Sequence, residues 1–171
     1  MPVEKGTISI RLVAEALAEP TAQGLDAVPL LRAAGIDPHL LARPYARVSS
    51  QAYSRLWLDL ARQTDDEFFG LNARRMKAGS FSFMAHAALR EPTLGEALRT
   101  ALRFLRVVFD DLAPRLASQD GIAAIQIDEL GPPRRAFCYF SLWLMVHGLA
   151  CWLIGRRIPV LAVELRCAAP D

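Results

Sequence analysis

The most regular pattern of apolar and polar residues in the chain is helical and runs from residue 93 to residue 109. Apolar side chains recur at helical spacing on one face, and Glu96, Arg99, Arg103 and Arg106 lie on the other. The apolar face consists of Leu94, Ala97, Leu98, Ala101, Leu102, Leu105, Val108 and Phe109. Thr93 and Glu96 have the spacing of a capping box. The pattern predicts an amphipathic helix that begins after Thr93.

Shorter helical patterns precede this helix. They predict helices over residues 8–22, 27–34, 49–63, 67–76 and 81–90. Gly35 suits the end of the second helix because glycine accepts a left-handed turn, and the acidic run at 65–67 is interpreted as capping of the fourth. The stretch 81–90 is almost wholly apolar, which predicts burial on most sides, and Glu91-Pro92 ends it.

After Pro114 the apolar residues recur at every second position, as in a β-strand. Residues 115–130 predict a β-hairpin with Asp120-Gly121 at its turn, because this dipeptide favours a tight two-residue connection. Residues 160–166 alternate again, which predicts a strand with Leu161, Val163 and Leu165 directed inward. These patterns together predict a sheet of three or more strands.

Between the hairpin and the last predicted strand, residues 136–155 carry no formal charge. Twenty such residues are long enough to cross a bilayer. His147 in the middle would be costly in lipid, and arginine pairs flank both ends, so a buried central helix is the preferred interpretation and a membrane span the alternative. The predicted fold class is therefore α+β: a mostly helical domain whose small sheet packs on this long apolar helix.

Composition narrows the possible functions. The 171 residues suit one domain, and a net charge of +2 with no basic stripe argues against binding to a polyanion. The arginine pairs at 74–75, 134–135 and 156–157 are interpreted as solvated helix ends. Cys138, Cys151 and Cys167 form no disulfide framework, and residues 1–20 show no secretory signal. Free thiols in a reducing cytoplasm are the simplest interpretation.

No sequence motif points to catalysis. The chain lacks a phosphate-binding glycine loop, an HExxH motif, a GxSxG motif and a CxxC pair. His147 and Cys151 lie four residues apart and share a helix face, so a metal pair or a thiol–imidazole dyad is conceivable. Because zinc needs at least three protein ligands and no third is near, core residues are the preferred interpretation. The sequence predicts no cofactor, no metal and no enzymatic activity; a small enzyme that uses this dyad is the alternative.

Two helix faces are candidates for a ligand site. In 136–155, Phe140, Trp143 and His147 share a face, as in apolar pockets with few polar anchors, whereas the alternative is plain core with His147 bonded to a backbone carbonyl. The stripe of Ser141, Gly148 and Gly155 predicts close packing.

In 81–90, His86 and Arg90 share one side and could recognise an anion, whereas the alternative is a core histidine beside a solvated arginine. The candidate ligand-binding residues are Phe81, Phe83, His86, Arg90, Phe104, Trp143 and His147.

Three stretches resemble one protein family. The segments "LLRAAGIDPHLLARPYARVSSQAYSRLW", "GSFSFMAHAALREPTLGEALRTALRF" and "VELRCAAPD" are similar, in order and spacing, to the N-terminal sensor domain of AraC-type bacterial transcription regulators. The subgroup is the arabinose-binding-like one, and the resemblance covers about residues 10–171. Two departures are Cys167, where histidine is common, and the absence of a glycine near Met84.

The resemblance implies a cytoplasmic, non-enzymatic regulatory domain that senses a small molecule, for which an amino acid or a fatty acid is plausible. It implies that residues 1–171 stop within the sensor domain, that the helix-turn-helix domain lies outside this chain, and that DNA is bound only through that domain. A homodimer is a possible assembly. The alternative is a dimerisation module without a ligand of its own. The resemblance does not assign ligand contacts to particular residues.

Overall fold

The structure is a computed structural model that describes residues 6–165 and 167. The chain divides into two compact units, Met1–Gly70 and Leu71–Asp171. Each unit has its own helices and its own two-stranded sheet.

The first unit is a helical unit with one short sheet. Its elements are β1 (Thr7–Ser9), α1 (Ile10–Ala22), α2 (Ala27–Ala33), a 3-10 helix (Pro38–Ala42), β2 (Arg47–Ser49) and α3 (Ser50–Thr64). The predicted helices over 8–22, 27–34 and 49–63 are confirmed. The sheet, in which Ile8 lies opposite Val48, was not predicted because three-residue strands are too short to show alternation. The buried apolar core includes Ile10, Val13, Leu17, Leu31, Ile36, Leu56, Leu60, Phe68 and Phe69.

The helix predicted over residues 67–76 is wrong. The buried carboxylate of Asp66 accepts hydrogen bonds from the backbone N–H groups of Phe68 (2.9 Å) and Gly70 (2.7 Å), which closes a turn. Phe69 and Gly70 both have positive φ, +56° and +76°, and two consecutive left-handed residues cannot continue a right-handed helix. Asp66 therefore organises a turn, and the acidic run does not cap a helix here.

The second unit carries the candidate site residues. Its elements are α4 (Ser80–Ala88), α5 (Leu94–Val108), β3 (Leu112–Gln119), β4 (Ile122–Glu129) and α6 (Ala136–Ile154). Helix α5 packs against α4, α6 and strand β3. Its buried residues are Ala97, Leu98, Ala101, Leu102 and Leu105. The amphipathic pattern of the sequence therefore gave the correct inward face.

The predicted capping box at Thr93 and the predicted turn at Asp120-Gly121 are both present in the structure. The Thr93 hydroxyl accepts a hydrogen bond from the Glu96 N–H (3.2 Å) and donates one to the Glu96 carboxylate (2.7 Å), which starts α5 as predicted. Asp120 and Gly121 have φ of +52° and +78°, which is the geometry of a type I′ turn. The predicted hairpin is therefore confirmed, with Gln119 opposite Ile122.

The prediction of a sheet with three or more strands is wrong. Among residues 6–165 and 167 there are two sheets of two strands each, and residues 156–165 contain no strand. Leu161 is 77% exposed, and Val163 and Leu165 are also exposed, so these side chains do not point into a core. Alternation predicts which way side chains point if a strand forms, but a strand also needs a neighbour for its backbone hydrogen bonds. The hairpin packs on α5 through β3, whereas the sequence predicted packing on the long apolar helix.

The long apolar stretch forms α6, as predicted, and Gly155 at φ +67° ends it. This helix is long and apolar enough to cross a membrane, and 44% of its most apolar window is buried. One such helix is weak support for a span because core helices meet the same criteria. The buried face of α6 consists of Phe137, Cys138, Tyr139, Ser141, Leu142, Val146, Leu149 and Ala150.

Helix α4 is buried on one side only, whereas its composition predicted burial on most sides. Met84, Ala85 and Ala88 are buried, but Phe83 is 68% exposed. The opposite side of a short helix stays in solvent unless a second element covers it, and composition does not reveal whether one does.

A polar cluster centred on Asp111 joins three segments of the second unit. The Asp111 carboxylate accepts hydrogen bonds from the Ala73 N–H (2.7 Å) and from the Arg134 guanidinium. The Asp111 N–H donates to the side-chain oxygen of Asn72 (3.1 Å), and its carbonyl accepts from the Leu130 N–H (2.8 Å). We call these five residues the Asp111 cluster.

The three polar side chains of the Asp111 cluster are largely shielded from water. The side chains of Asp111 and Arg134 are 12% and 26% exposed, and Asn72 is buried. The interpretation of the pair 134–135 as solvated is therefore wrong for Arg134. Gly131 contributes through its size, because a Cβ at that position would lie 2.8 Å from an Asp111 carboxylate oxygen.

Replacing Asp111 with alanine is expected to lower the free energy of unfolding by about 3 kcal/mol, because it leaves the shielded Arg134 charge without its partner. The control is Asp110→Ala, which removes a half-exposed carboxylate paired with Arg74 at 2.8 Å. That loss should be about 1 kcal/mol or less. Urea denaturation of both variants measures the difference, and equal losses would contradict the importance of the Asp111 cluster.

Candidate functional site

An aromatic face runs along α6. The ring centroids of Phe140 and Trp143 are 5.8 Å apart, and those of Trp143 and His147 are 5.1 Å apart with ring planes only 12° from parallel. Spacings of three and four residues place these side chains on the same side of the helix. All three are half-buried. We call Phe140, Trp143 and His147 the α6 aromatic face.

His147 also binds the segment that follows the helix. Its Nε2 lies 3.0 Å from the carbonyl oxygen of Ile158. Because a carbonyl only accepts hydrogen bonds, this contact places the proton of the neutral ring on Nε2 and leaves Nδ1 with a lone pair. The segment after α6 is thereby attached to the aromatic face.

Cys151 lies beside the same ring. Its Sγ is 3.7 Å from Nε2 and 4.0 Å from Nδ1 of His147, and it accepts a hydrogen bond from the Ile158 N–H at 3.3 Å. Both polar backbone atoms of Ile158 are therefore bound by side chains one helical turn apart. His147 and Cys151 are both half-buried, and the bond of His147 to a backbone carbonyl is the one that the core interpretation expected.

The candidates on α4 and α5 form a second, more exposed group. The rings of Phe83 and Phe104 contact each other with centroids 5.9 Å apart. His86 is exposed, and its Nδ1 lies 2.7 Å from the Ser82 carbonyl oxygen, so it is not a core histidine. Arg90 is exposed as well, and Phe81 is half-buried. Phe83 and His86 lie on the exposed side of α4, and Met84 is buried on the other.

The predicted site residues thus fall into two groups. Within the described residues, no hydrogen bond, ion pair or ring contact joins Phe83, His86 and Phe104 to Trp143 and His147. No group of three or more metal-binding side chains occurs in the part of the chain that the structure describes. The small-residue stripe is closely packed only at Ser141, which is buried, because a Cβ at Gly148 or Gly155 would meet nothing within 4 Å among the described residues.

The cysteines differ strongly in environment. Cys138 is buried and donates to the Leu71 carbonyl oxygen at 3.5 Å, and burial raises the pKa of its thiol to about 12. Cys151 and Cys167 are both half-buried. Sequence spacing identified the His147–Cys151 pair, but no sequence signal pointed to Ile158, whose position depends on how the chain turns after Gly155.

Comparison with known proteins identifies the family of this chain. Residues 24–171 match the arabinose-binding N-terminal domain of AraC transcription regulators. The chain belongs to this family. The predicted resemblance is therefore confirmed.

A curated relative is the ornithine utilization regulator of Pseudomonas aeruginosa, which is 27% identical over 149 residues. The alignment covers 85% of this chain and 44% of that regulator, so the chain spans less than half of the relative's length. No solved structure matches the chain. The family match identifies this arabinose-binding-type domain as part of a transcription regulator and assigns no residue to a ligand.

Replacing His147 with alanine should release the segment after α6, because it removes the hydrogen bond to the Ile158 carbonyl. Hydrogen–deuterium exchange of the peptide over residues 156–163 is expected to become faster by about fivefold, as for the loss of about 1 kcal/mol of local protection. His86→Ala on α4 is the matched control and should leave this peptide unchanged. Unchanged exchange in the His147 variant would show that the hydrogen bond does not hold the segment.

Proposed function

We propose that this arabinose-binding-type domain senses a small-molecule effector and couples its binding to DNA binding by a helix-turn-helix domain outside this chain. The family match is the observation that carries the proposal, because the matched domain is a regulatory one. Binding would favour one of two arrangements of the regulator and so change the activity of the attached domain. Regulators of this family are typically soluble cytoplasmic proteins, which supports a cytoplasmic location and a non-enzymatic function.

The α6 aromatic face is the better of the two candidate effector sites. Small-molecule sites are mostly apolar with a few polar anchors, and this face combines two aromatic rings with one imidazole. Half-buried rings that already contact one another lose little side-chain freedom when a ligand binds. The group on α4 is less suitable because Phe83 is 68% exposed and His86 is exposed.

The chemistry of this face favours an effector with an apolar or cationic portion. Helix α6 carries no formal charge, so it provides no ion-pair partner for a carboxylate. The face of Trp143 could hold an aliphatic chain or an ammonium group, the latter through a cation–π contact. Both amino acids and fatty acids remain suitable classes, and the name of the relative makes ornithine a natural member of the test panel.

A thermal-shift screen tests the effector proposal. The panel contains ornithine and other amino acids, polyamines, sugars and fatty acids. A true effector at about 100 times its dissociation constant should stabilise the domain by about 2.7 kcal/mol, which raises Tm by several degrees. Trp143→Ala should abolish the shift, because it removes the central ring of the α6 aromatic face.

The matched control is Trp152→Ala on the same helix. Trp152 is 61% exposed and takes part in no ring contact among the described residues, so this variant should keep the shift. Loss of the shift in both variants would place the effector elsewhere, and no shift with any compound in the wild type would contradict effector binding by this chain.

A second candidate function is a dimerisation module without a ligand. The observation that favours it is an exposed apolar patch made of Phe83, Phe104 and Val107, in which Phe83 and Val107 are 68% and 69% exposed. Contiguous apolar patches on a soluble surface often mark protein contacts. A second copy of this domain could cover the patch.

Sedimentation velocity tests the second candidate. If the patch forms a dimer contact, Phe83→Asp should weaken self-association by at least tenfold, because it places a charge in an apolar interface. Tyr45→Asp is the control, since Tyr45 lies in the first unit and is 91% exposed. A wild-type domain that stays monomeric at high micromolar concentration would contradict this function.

A further inference from the structure

We infer that the surface formed by α4 and α5 binds a segment of another protein, an acidic amphipathic helix with carboxylates beside its apolar stripe. The inference does not rest on the proposed effector site, because none of its residues lies on α6. Two observations carry it. One is the exposed apolar patch of Phe83, Phe104 and Val107, and the other is a row of arginines beside that patch.

Three arginines follow the exposed side of α5. Arg99, Arg103 and Arg106 are all exposed, and residues three and four positions apart lie on the same side of a helix. At the helical rise per residue, the row is about 10 Å long. We call these residues the α5 arginine row. None of them forms an ion pair within the part of the chain that the structure describes.

The carboxylates nearest to the row in sequence are already bonded to other groups. Glu96 accepts a hydrogen bond from the Thr93 hydroxyl at 2.7 Å, and Glu91 accepts one from the Thr100 hydroxyl at 2.6 Å. Asp110, which follows α5, is paired with an arginine outside the row. The charge of the α5 arginine row is therefore available to carboxylates of another molecule.

The apolar patch runs beside the α5 arginine row. Val107 lies four residues after Arg103, so these two side chains are neighbours on the surface of α5. From α4, Phe83 reaches the ring of Phe104, and both Phe83 and Val107 are exposed. Burial of such a patch by a partner is favourable because it removes apolar area from water. A matching partner therefore presents an apolar stripe next to negative charge.

The spacing of the row matches a helix as the partner. Residues three and four positions apart on an α-helix are separated by about 4.5 and 6 Å along its axis, which is also the separation within the α5 arginine row. Carboxylates at those positions would lie opposite the guanidinium groups, which bind carboxylates with two parallel hydrogen bonds. The apolar stripe of the same helix would then lie on the patch formed by α4 and α5.

Charge complementarity separates this partner from a second copy of the chain. A twofold contact that covers the patch brings the α5 arginine rows of both copies into one interface, without an unbonded carboxylate on these two helices to balance them. A phosphate backbone would pair with the arginines but would leave Phe83 and Val107 without an apolar contact. An acidic amphipathic helix satisfies both the charge and the apolar patch.

Fluorescence anisotropy with a labelled synthetic peptide and the whole chain tests the inference. The probe is a helical peptide with leucine along one face and glutamate beside it. One control peptide has lysine in place of glutamate, and the other has alanine in place of leucine. The dissociation constant of the probe is expected to be at least tenfold lower than that of either control, and rising ionic strength should reduce its advantage over the lysine peptide.

Variants of the chain locate the binding surface. Arg103→Glu should weaken probe binding by at least tenfold, because it reverses the central charge of the α5 arginine row. Phe83→Ser should weaken it to a similar extent, since it removes an apolar contact. The control is Arg55→Glu, which reverses an exposed charge on α3 of the first unit and should leave binding unchanged. Circular dichroism establishes that each variant is folded.

Four results would overturn the inference. The first is equal binding of the acidic and lysine peptides by the wild type, a comparison that needs no variant. The second is unchanged probe binding by folded Arg103→Glu. The third is tighter binding to vesicles of phosphatidylcholine and phosphatidylglycerol than to the probe, which would assign the surface to a membrane. The fourth is a wild-type dimer that Phe83→Ser dissociates, which would assign the patch to a second copy. None of these measurements involves the effector panel or Trp143, so failure of this inference is distinguishable from failure of the effector proposal.

Discussion

The carboxylate of Asp111 is the interaction on which the second unit depends. It binds the backbone of residue 73 and the guanidinium of Arg134, and the Asp111 backbone binds Asn72 and Leu130. One shielded charge therefore joins residues 72–73 at the start of the unit, residue 111 before the hairpin, and residues 130–134 before α6. A shielded ion pair is costly unless its remaining polar groups are bonded. Here the Ala73 N–H bonds the carboxylate, whereas Nε of Arg134 is buried without a hydrogen-bond partner among the described residues.

The Asp111 cluster is connected to the helix that carries the candidate site. The Arg134 N–H donates to the Tyr139 hydroxyl at 3.0 Å, so the first turn of α6 is attached to the Asp111 cluster. Along the next four turns, one side of α6 is buried and the other presents the α6 aromatic face. At the far end His147 and Cys151 bind both backbone polar atoms of Ile158. One helix thus connects the structural ion pair, the proposed effector face and the two side chains that hold the segment after the helix.

This continuity gives a physical basis for regulation. A ligand on the α6 aromatic face would act on the contact that holds the segment after the helix. That segment carries exposed apolar side chains, including Leu161 and Val163. A change in how it is held would alter an apolar surface available to other parts of a regulator, and apolar surface is what most protein contacts bury.

The sequence by itself determined the local elements of this protein: the capping box at Thr93, the type I′ turn at Asp120-Gly121, the inward face of α5, and the i, i+4 pair of His147 and Cys151. These depend on neighbouring residues and on helical or strand periodicity, which a sequence displays directly. Only the tertiary structure decided that residues 67–70 form a turn around buried Asp66, that residues 160–165 are not a strand, and that Arg134 pairs with Asp111. Each of these depends on a partner distant in sequence or on two successive left-handed residues, and periodicity does not encode either. The same reason explains why the candidate ligand residues fell into two groups: a helix face can be predicted from spacing, but what covers that face is decided by packing.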